Sequence, residues 1–266
     1  MTEFPGIYSL DGKNVLVTGA TGYLGQAMAR GLASLGATVS VNGRNISRVN
    51  EIVAGIEERG FSAIPAAFDV TDELAVKEWF SRRGEVPLHG LVNNAYLGGG
   101  GSIETANEGE YRDSYEVALV ASHRLLTLAL PALRLAVNQC GDASVINIAS
   151  MYGVVSPDQR IYPNKNGANP PFYGASKAAL LQWTRYAACE FGNESIRVNA
   201  ISPGPFPSKS VQASNPDFVT ALAGRVPLGR IGQASEMQGP LAFLLSSASS
   251  FVNGNNLLVD GGWTCW

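Results

Sequence analysis

The chain is poor in the residues that staple a fold, ligate metal or bind polyanions. Its three cysteines, Cys140, Cys189 and Cys265, are odd in number and far apart, so they make no disulfide framework. The only histidines, His89 and His123, are isolated, and no Cys/His spacing suggests a metal site. Charged residues make up 15% of the chain, with a formal balance of -3. Lys and Arg are scattered rather than gathered in a stripe, which argues against nucleic acid or an anionic membrane as a partner. No uninterrupted apolar run approaches the roughly 20 residues that span a bilayer. Met1-Thr2-Glu3-Phe4-Pro5-Gly6 lacks the basic-then-apolar order of a signal peptide. These absences leave a cytoplasmic, metal-free protein acting on a small molecule.

The chain does have a regular alternation of short apolar runs and helical periods. Strands are expected at 15–17, 38–42, 62–68, 88–93, 144–148, 196–201 and 256–259. Helices are expected from the glycine turn after 17 to about 35, then at 46–59, 73–83, 110–137, 173–191 and 235–245, with Gly36 and Gly60 closing the first two. Strictly alternating strands and helices predict an α/β fold: a doubly wound parallel sheet of about seven strands, with helices on both faces. No linker divides the sequence, so a single domain over 1–266 is expected. Two stretches break the rhythm. Residues 156–171 carry four prolines and read as an ordered inserted loop. A Pro- and Ser-rich stretch from Pro203, densest to about Asn215 and reaching about 224, reads as a mobile substrate loop.

Gly19, Gly22 and Gly25 fall three apart at the first strand-to-helix turn. Glycines there let the backbone approach a pyrophosphate at a helix N-terminus, which predicts a dinucleotide site. After the second strand stands Gly43-Arg44-Asn45, where an acidic residue would bond the ribose hydroxyls of NAD. Arg44 instead offers a cation to a 2′-phosphate, favouring NADP(H) over NAD. Further on, Tyr173 and Lys177 are four apart, one turn of helix on one face. An ammonium beside a phenol favours the phenolate, so such a pair can exchange a proton near neutral pH.

Several segments together resemble the short-chain dehydrogenase/reductase family in its compact form, over essentially the whole chain. They are Thr18-Gly19 to Gly25, Asp69-Val70-Thr71, Asn93-Asn94-Ala95, Asn147-Ile148-Ala149-Ser150, Tyr173 with Lys177, Arg197 to Gly204, and Val259-Asp260-Gly261-Gly262. The resemblance implies a Rossmann fold and a hydride transfer between NADP(H) and a carbonyl or secondary alcohol. It implies Tyr173 as acid/base, Lys177 as the group that lowers its pKa and bonds the nicotinamide ribose, and Ser150 as a donor to the substrate oxygen. For the cofactor it implies Thr18, Gly19, Thr21, Gly22, Tyr23, Leu24 and Gly25 around the phosphates, with Arg44, Asn45, Asp69, Val70, Asn94 and Ala95 along the adenosine. Pro203, Gly204 and Phe206 would line the nicotinamide side.

The chain departs from the family pattern at three places. Tyr23 stands where compact members usually have their second glycine; the observed spacing is that of the extended, sugar-nucleotide-modifying branch, whose reading would be an epimerase. Ala118 stands where the family commonly has an asparagine that holds a water beside the lysine, so proton exchange with solvent is expected to be slowed or rerouted. The distance from Ser150 to Tyr173 is longer than usual, which is similar to oxidoreductases of flagellin and surface-sugar modification. The Asn42-Gly43-Arg44 strand end is similar to that of gluconate-type reductases.

The substrate pocket is expected to draw on Tyr96, Met151, Tyr152 and Phe206, with Asp158, Arg160, Asn164 and Asn166 of the insertion. That lining suits a hydroxylated substrate such as a sugar or sugar acid. A 3-oxoacyl thioester or small ketone, and a dinucleotide-binding regulatory protein with impaired turnover, stand as alternatives. Apolar helices at 110–137 and 173–191 suggest a homodimer or homotetramer.

Overall fold

The computed structural model describes residues 4–162 and 164–266; residues 1–3 of the N-terminal stretch and Pro163 of the insertion lie outside the described residues. Asn14-Val15-Leu16-Val17 shows how the strands are built. Val15 and Val17 point into one helix layer and Leu16 into the other, so both faces bury apolar side chains. Burial on both faces is why the strands read as continuous apolar runs.

The strands are β1 (Asn14–Val17), β2 (Thr38–Gly43), β3 (Ala63–Ala67), β4 (Gly90–Asn93), β5 (Ala143–Ile148), β6 (Ile196–Pro203) and β7 (Asn256–Val259). They form one 7-stranded sheet in the order β3-β2-β1-β4-β5-β6-β7. Each neighbouring pair is parallel. The helices are α1 (Tyr23–Ser34), α2 (Ile46–Glu57), α3 (Glu73–Arg83), α4 (Glu108–Tyr115), α5 (Ala121–Cys140), α6 (Pro171–Phe191), α7 (Lys209–Ser214), α8 (Pro216–Arg225) and α9 (Gln238–Leu245). One core layer packs α1, α2 and α9 on the sheet through Met28, Leu32, Ile56 and Leu241. The opposite layer packs α3, α5 and α6 through Val76, Leu125, Leu133 and Ala187. The doubly wound sheet expected from the sequence is the observed fold.

Two expectations need correction. The helix expected at 110–137 is one continuous run, Glu108–Cys140, in which α4 and α5 are joined by a π-helical turn at Glu116–Val120. Its length and composition would suffice to cross a membrane, although polar residues interrupt its apolar stretches; in the fold its apolar side lies on the sheet. The second correction concerns 203–224, expected as a loop. It holds two short helices, α7 and α8, begun by the side chains of Ser208 and Asn215, which accept from the Val211 and Phe218 N–H groups. The insertion is ordered as expected, with short 3-10 turns at Gln159–Ile161 and Lys165–Gly167. Asp158 ties it to Arg225 of α8 at 3.1 Å, and Lys165 reaches Glu104 at 3.2 Å.

Close packing of α1 on the β1 turn is the tightest sequence requirement. A Cβ at Gly25 would sit 2.2 Å from the Gly19 carbonyl oxygen and 2.8 Å from the Ala20 Cα, both backbone atoms that cannot rotate away. Gly25→Ala should therefore destabilise the protein by about 3 kcal/mol. In α9, a Cβ at Gly239 meets nothing within 4 Å. Gly239→Ala should be neutral or stabilising by up to about 1 kcal/mol. Urea denaturation of both variants checks this, and equal midpoints would defeat the packing argument.

Candidate active site

Where the strand order reverses between β1 and β4, the helices that follow leave on opposite faces and a crevice opens at the strand ends. In this protein the crevice is a cleft of about 960 Å³ running from the glycine turn across to β5 and β6. One wall is the turn itself. Gly19 adopts a left-handed φ of 59°, open to glycine with little strain. Gly22 caps α1 with an extended φ of -80° and no side chain to occupy the first N–H groups. The backbone N–H groups that open α1 are thus without partners in the helix and could hold a pyrophosphate. Thr21, Tyr23, Leu24 and Gly25 complete this wall, with Tyr23 as the first helical residue.

Further along lie Arg44, Asp69, Val70, Asn94 and Ala95, all lining the cleft. The Arg44 guanidinium is 78% exposed and 3.9 Å from Asp69, a contact too loose and too wet to immobilise it. Asn94 donates through Nδ2 to the Thr18 carbonyl at 2.9 Å and the Gly19 carbonyl at 3.2 Å, bracing the turn.

Two expected contacts in this half are corrected. Thr18 is fully buried and outside the cleft lining. Its hydroxyl donates to the Val92 carbonyl and accepts from the Asn94 and Ala95 N–H groups, so it shapes the turn from behind. Asn45 is likewise outside the lining: it caps α2, its side chain accepting from Arg48 N–H at 3.1 Å.

At the other end, Pro171 starts α6 as a first-turn proline, and Tyr173 and Lys177 fall on its cleft side. Lys177 is buried and donates to the Ile148 carbonyl at 2.8 Å. Burial lowers its pKa to about 8. Burial raises the Tyr173 phenol to about 12; the Ser150 hydroxyl partly offsets this, and Tyr96 adds to it. In the ligand-free site Lys177 is not among the groups that shift the Tyr173 phenol. The ammonium lies 5.8 Å from the Tyr173 ring centroid and is drawn onto a backbone carbonyl, so desolvation dominates both groups. Ser150 accepts from the Tyr152 N–H at 3.1 Å and its own hydroxyl donates towards the Tyr173 phenol, which sets the two oxygens side by side at the cleft.

Ala118 sits in the π-helical turn, where Ser122 Oγ donates to its carbonyl at 2.8 Å. The void bounded by Ala118, Asn93, Ser122 and Lys177 is too tight for a water molecule.

Tyr96, Met151, Tyr152 and Phe206 line the cleft, as do Pro203 and Gly204. Asp158, Arg160, Asn164 and Asn166 do not line it. Asp158 is taken up by Arg160 and Arg225, and Asn164 by the Gly167 N–H, so these polar side chains fold the insertion rather than face the cleft. The insertion instead contributes Tyr162 and Asn169, and α8 contributes Phe218 and Leu222. An aromatic pattern within a polar segment was the available signal for Tyr162.

A nucleotide-sized crevice with a glycine turn at one end and desolvated titratable groups at the other belongs to the nucleotide-dependent oxidoreductases. Comparison with known proteins narrows the class. A family model described as Enoyl-(Acyl carrier protein) reductase matches residues 19–264. A gluconate 5-dehydrogenase of Gluconobacter oxydans is 33% identical over 264 residues, 98% of each chain. A 3-oxoacyl-[acyl-carrier-protein] reductase of rhamnolipid biosynthesis from Pseudomonas aeruginosa is 31% identical, over 96% of this chain and 98% of that one. Among solved structures, a gluconate 5-dehydrogenase from Burkholderia cenocepacia in complex with NADP and tartrate superposes with a TM-score of 0.86, at 28% identity and 98% coverage of both chains. The chain belongs to the short-chain dehydrogenase/reductase family, and it is an oxidoreductase.

The buried lysine makes stability depend on pH. Its pKa falls from 10.5 in an unfolded chain to about 8 here, so between these values the unfolded state binds more protons. Stability of the ligand-free protein should rise as pH increases through that window, by about 3 kcal/mol in all. Lys177→Met should abolish that rise. Chemical denaturation at a series of pH values tests it, and an unchanged slope in the variant would assign the effect to other groups.

Proposed function

We propose that the protein transfers a hydride between NADP(H) and a carbonyl or secondary alcohol on a small hydroxylated substrate, such as a sugar or sugar acid. The observation that carries this reading is the convergence of Ser150, Tyr173 and Lys177 at one end of the cleft that begins at the glycine turn and Arg44. The residues fit a dinucleotide phosphate: the Gly19 and Gly25 positions have no room for a side chain, α1 offers free N–H groups, and Arg44 is an unspent cation. The Burkholderia relative, whose structure holds NADP, supports the same cofactor.

When bound, the nicotinamide supplies or accepts the hydride. The rest falls to this chain. With its pKa near 12 in the ligand-free site, Tyr173 keeps its proton at neutral pH and can give it to an oxygen that gains charge. Ser150 donates to the same oxygen, held in place by the Tyr152 N–H. Lys177 has three N–H bonds and spends one on Ile148, leaving the others for ribose hydroxyls and the phenol. With Ala118 unable to bond a water through its side chain, protons reach Tyr173 through the cleft rather than through the helix behind it.

The gluconate dehydrogenase relatives support a sugar-acid ketone, and the Pseudomonas relative a 3-oxoacyl thioester. A panel of keto sugars, keto acids and 3-oxoacyl thioesters separates them. NADPH binding without turnover on the whole panel would favour a regulatory role. Three exposed free thiols fit a reducing, cytoplasmic setting, and the exposed Val120 and Tyr186 fit a homodimer or homotetramer formed through helices. The segment over 203–224, resting on the insertion through Phe218 and through Arg225 just beyond it, is positioned to cover the substrate.

Tyr173→Phe should lower kcat about 10³-fold while NADPH still binds, measured by steady-state kinetics and cofactor fluorescence. Arg44→Ala should raise the KM for NADPH at least about tenfold and leave that for NADH nearly unchanged. An equal effect on both cofactors would remove Arg44 from 2′-phosphate recognition.

A further inference from the structure

Within the cleft, the hydroxyls of Tyr152 and Tyr162 are hydrogen-bonded to each other at 3.0 Å. Tyr152 lies within the short turn Met151–Gly153 that Ser150 caps, whereas Tyr162 belongs to the insertion. Both are held firmly. The Tyr162 ring stands 5.5 Å from Phe218 of α8, and the Tyr152 ring 6.4 Å from Trp263 near the C-terminus. Asp158, bonded at once to Arg160 and Arg225, fixes the backbone four residues before Tyr162.

The pair has a definite hydrogen-bonding character. Two phenols hold two hydrogens, and the bond between them uses one. The Tyr162 hydroxyl also accepts from the Asn169 backbone N–H; whichever phenol donates, the pair still keeps one hydrogen and a spare lone pair, matching a partner that both donates and accepts. An alcohol is such a partner; an ionised carboxylate only accepts. Burial raises the pKa of both phenols, so neither becomes an anion at neutral pH. Among the described residues lining the cleft, the only Lys or Arg are Lys177, bonded to Ile148, and Arg44 at the far end.

We propose that the Tyr152–Tyr162 pair is a substrate-reading site that takes a second hydroxyl group of the substrate, near the carbon that reacts. This deepens the proposed function and rests on it for the position of the reacting carbon. The substrate is then a polyol or hydroxyketone recognised at that point through an uncharged hydroxyl, with Tyr96 and Phe206 as apolar faces beside it. Tyr162 becomes a specificity-determining residue supplied by the insertion.

The test measures binding apart from turnover. In protein loaded with NADP+, ligand-observed NMR titration gives dissociation constants for cyclohexanol and for the three isomeric cyclohexanediols. At least one diol should bind about tenfold more tightly than cyclohexanol, and Tyr162→Phe should reduce that preference to about one. Cyclohexanol affinity and NADP+ affinity should not change in the variant. Tyr152→Phe should have the same effect, and the double variant no more than either alone, because the pair acts as one unit. A preference that survives in Tyr162→Phe, or its absence in the wild type, overturns the proposal. If the diol preference behaves as stated but no alcohol or ketone is turned over, the oxidoreductase assignment of the cleft fails and the hydroxyl-reading site stands.

Discussion

A single hydroxyl pins together the two strand ends from which the cleft opens. Thr18 Oγ1 donates to the Val92 carbonyl and accepts from the N–H groups of Asn94 and Ala95, bridging the ends of β1 and β4 where the sheet order reverses. It extends the β1/β4 ladder, which ends with the Thr18 N–H on the Val92 carbonyl, past the point where each strand turns towards a helix on a different face. With it, the glycine turn and the Asn94 loop are held as one surface, and Asn94 returns the constraint by bonding the Thr18 and Gly19 carbonyls. The reversal of strand order creates the crevice; the threonine ties the backbone of its two edges together from behind.

The opposite end of the cleft depends on desolvation. Lys177 lies almost wholly out of water with one carbonyl partner, and Tyr173 is edge-on to Tyr96 at 5.3 Å between ring centroids. Both groups are pushed towards their neutral forms, the lysine down and the phenol up. An empty site of this kind is electrostatically unfavourable for the fold, and binding a polyanionic nucleotide nearby relieves part of that cost. Stability is sacrificed locally for a site whose charges are useful only when it is filled.

The sheet was legible because its strands are buried on both faces, so Val15 to Val17 and Ser144 to Ile148 read as short apolar runs between turns. Tyr173, Lys177 and Ser150 were legible through spacing and through their resemblance to a family pattern, and the structure brings them to one end of the cleft. The helices α7 and α8 were hidden because each is short and the Pro-rich stretch at 203–208 just before them reads as a loop; yet Ser208 as a cap, and Asn215-Pro216 as a cap followed by a first-turn proline, were signals of helix starts. Thr18 and Asn45 lie outside the lining because a polar residue beside a ligand turn can equally well satisfy backbone donors. Tyr162 was missed because the charged residues around it drew the argument, while those charges pair with each other over longer distances than local spacing reveals.

The π-helical turn at Glu116–Val120 has a consequence for how the long helix divides its duties. An α-helix presents the same stripe of side chains to its neighbour along its whole length, so an unbroken helix from Glu108 to Cys140 would face α6 and the sheet in a fixed phase. One wider turn resets that phase. The first part can then turn Ser114 onto Ser176 of α6 at 2.9 Å, while the second lays Leu125, Ala129 and Leu133 along the sheet. The π-helical turn is the joint between the two phases, and it places Val117 and Ala118 beside Lys177. A one-residue deletion in that turn would rotate everything upstream of it, and the wall of the cleft formed by Asp113, Glu116 and Val117 would be re-aimed while the hydrophobic layer downstream stayed in place.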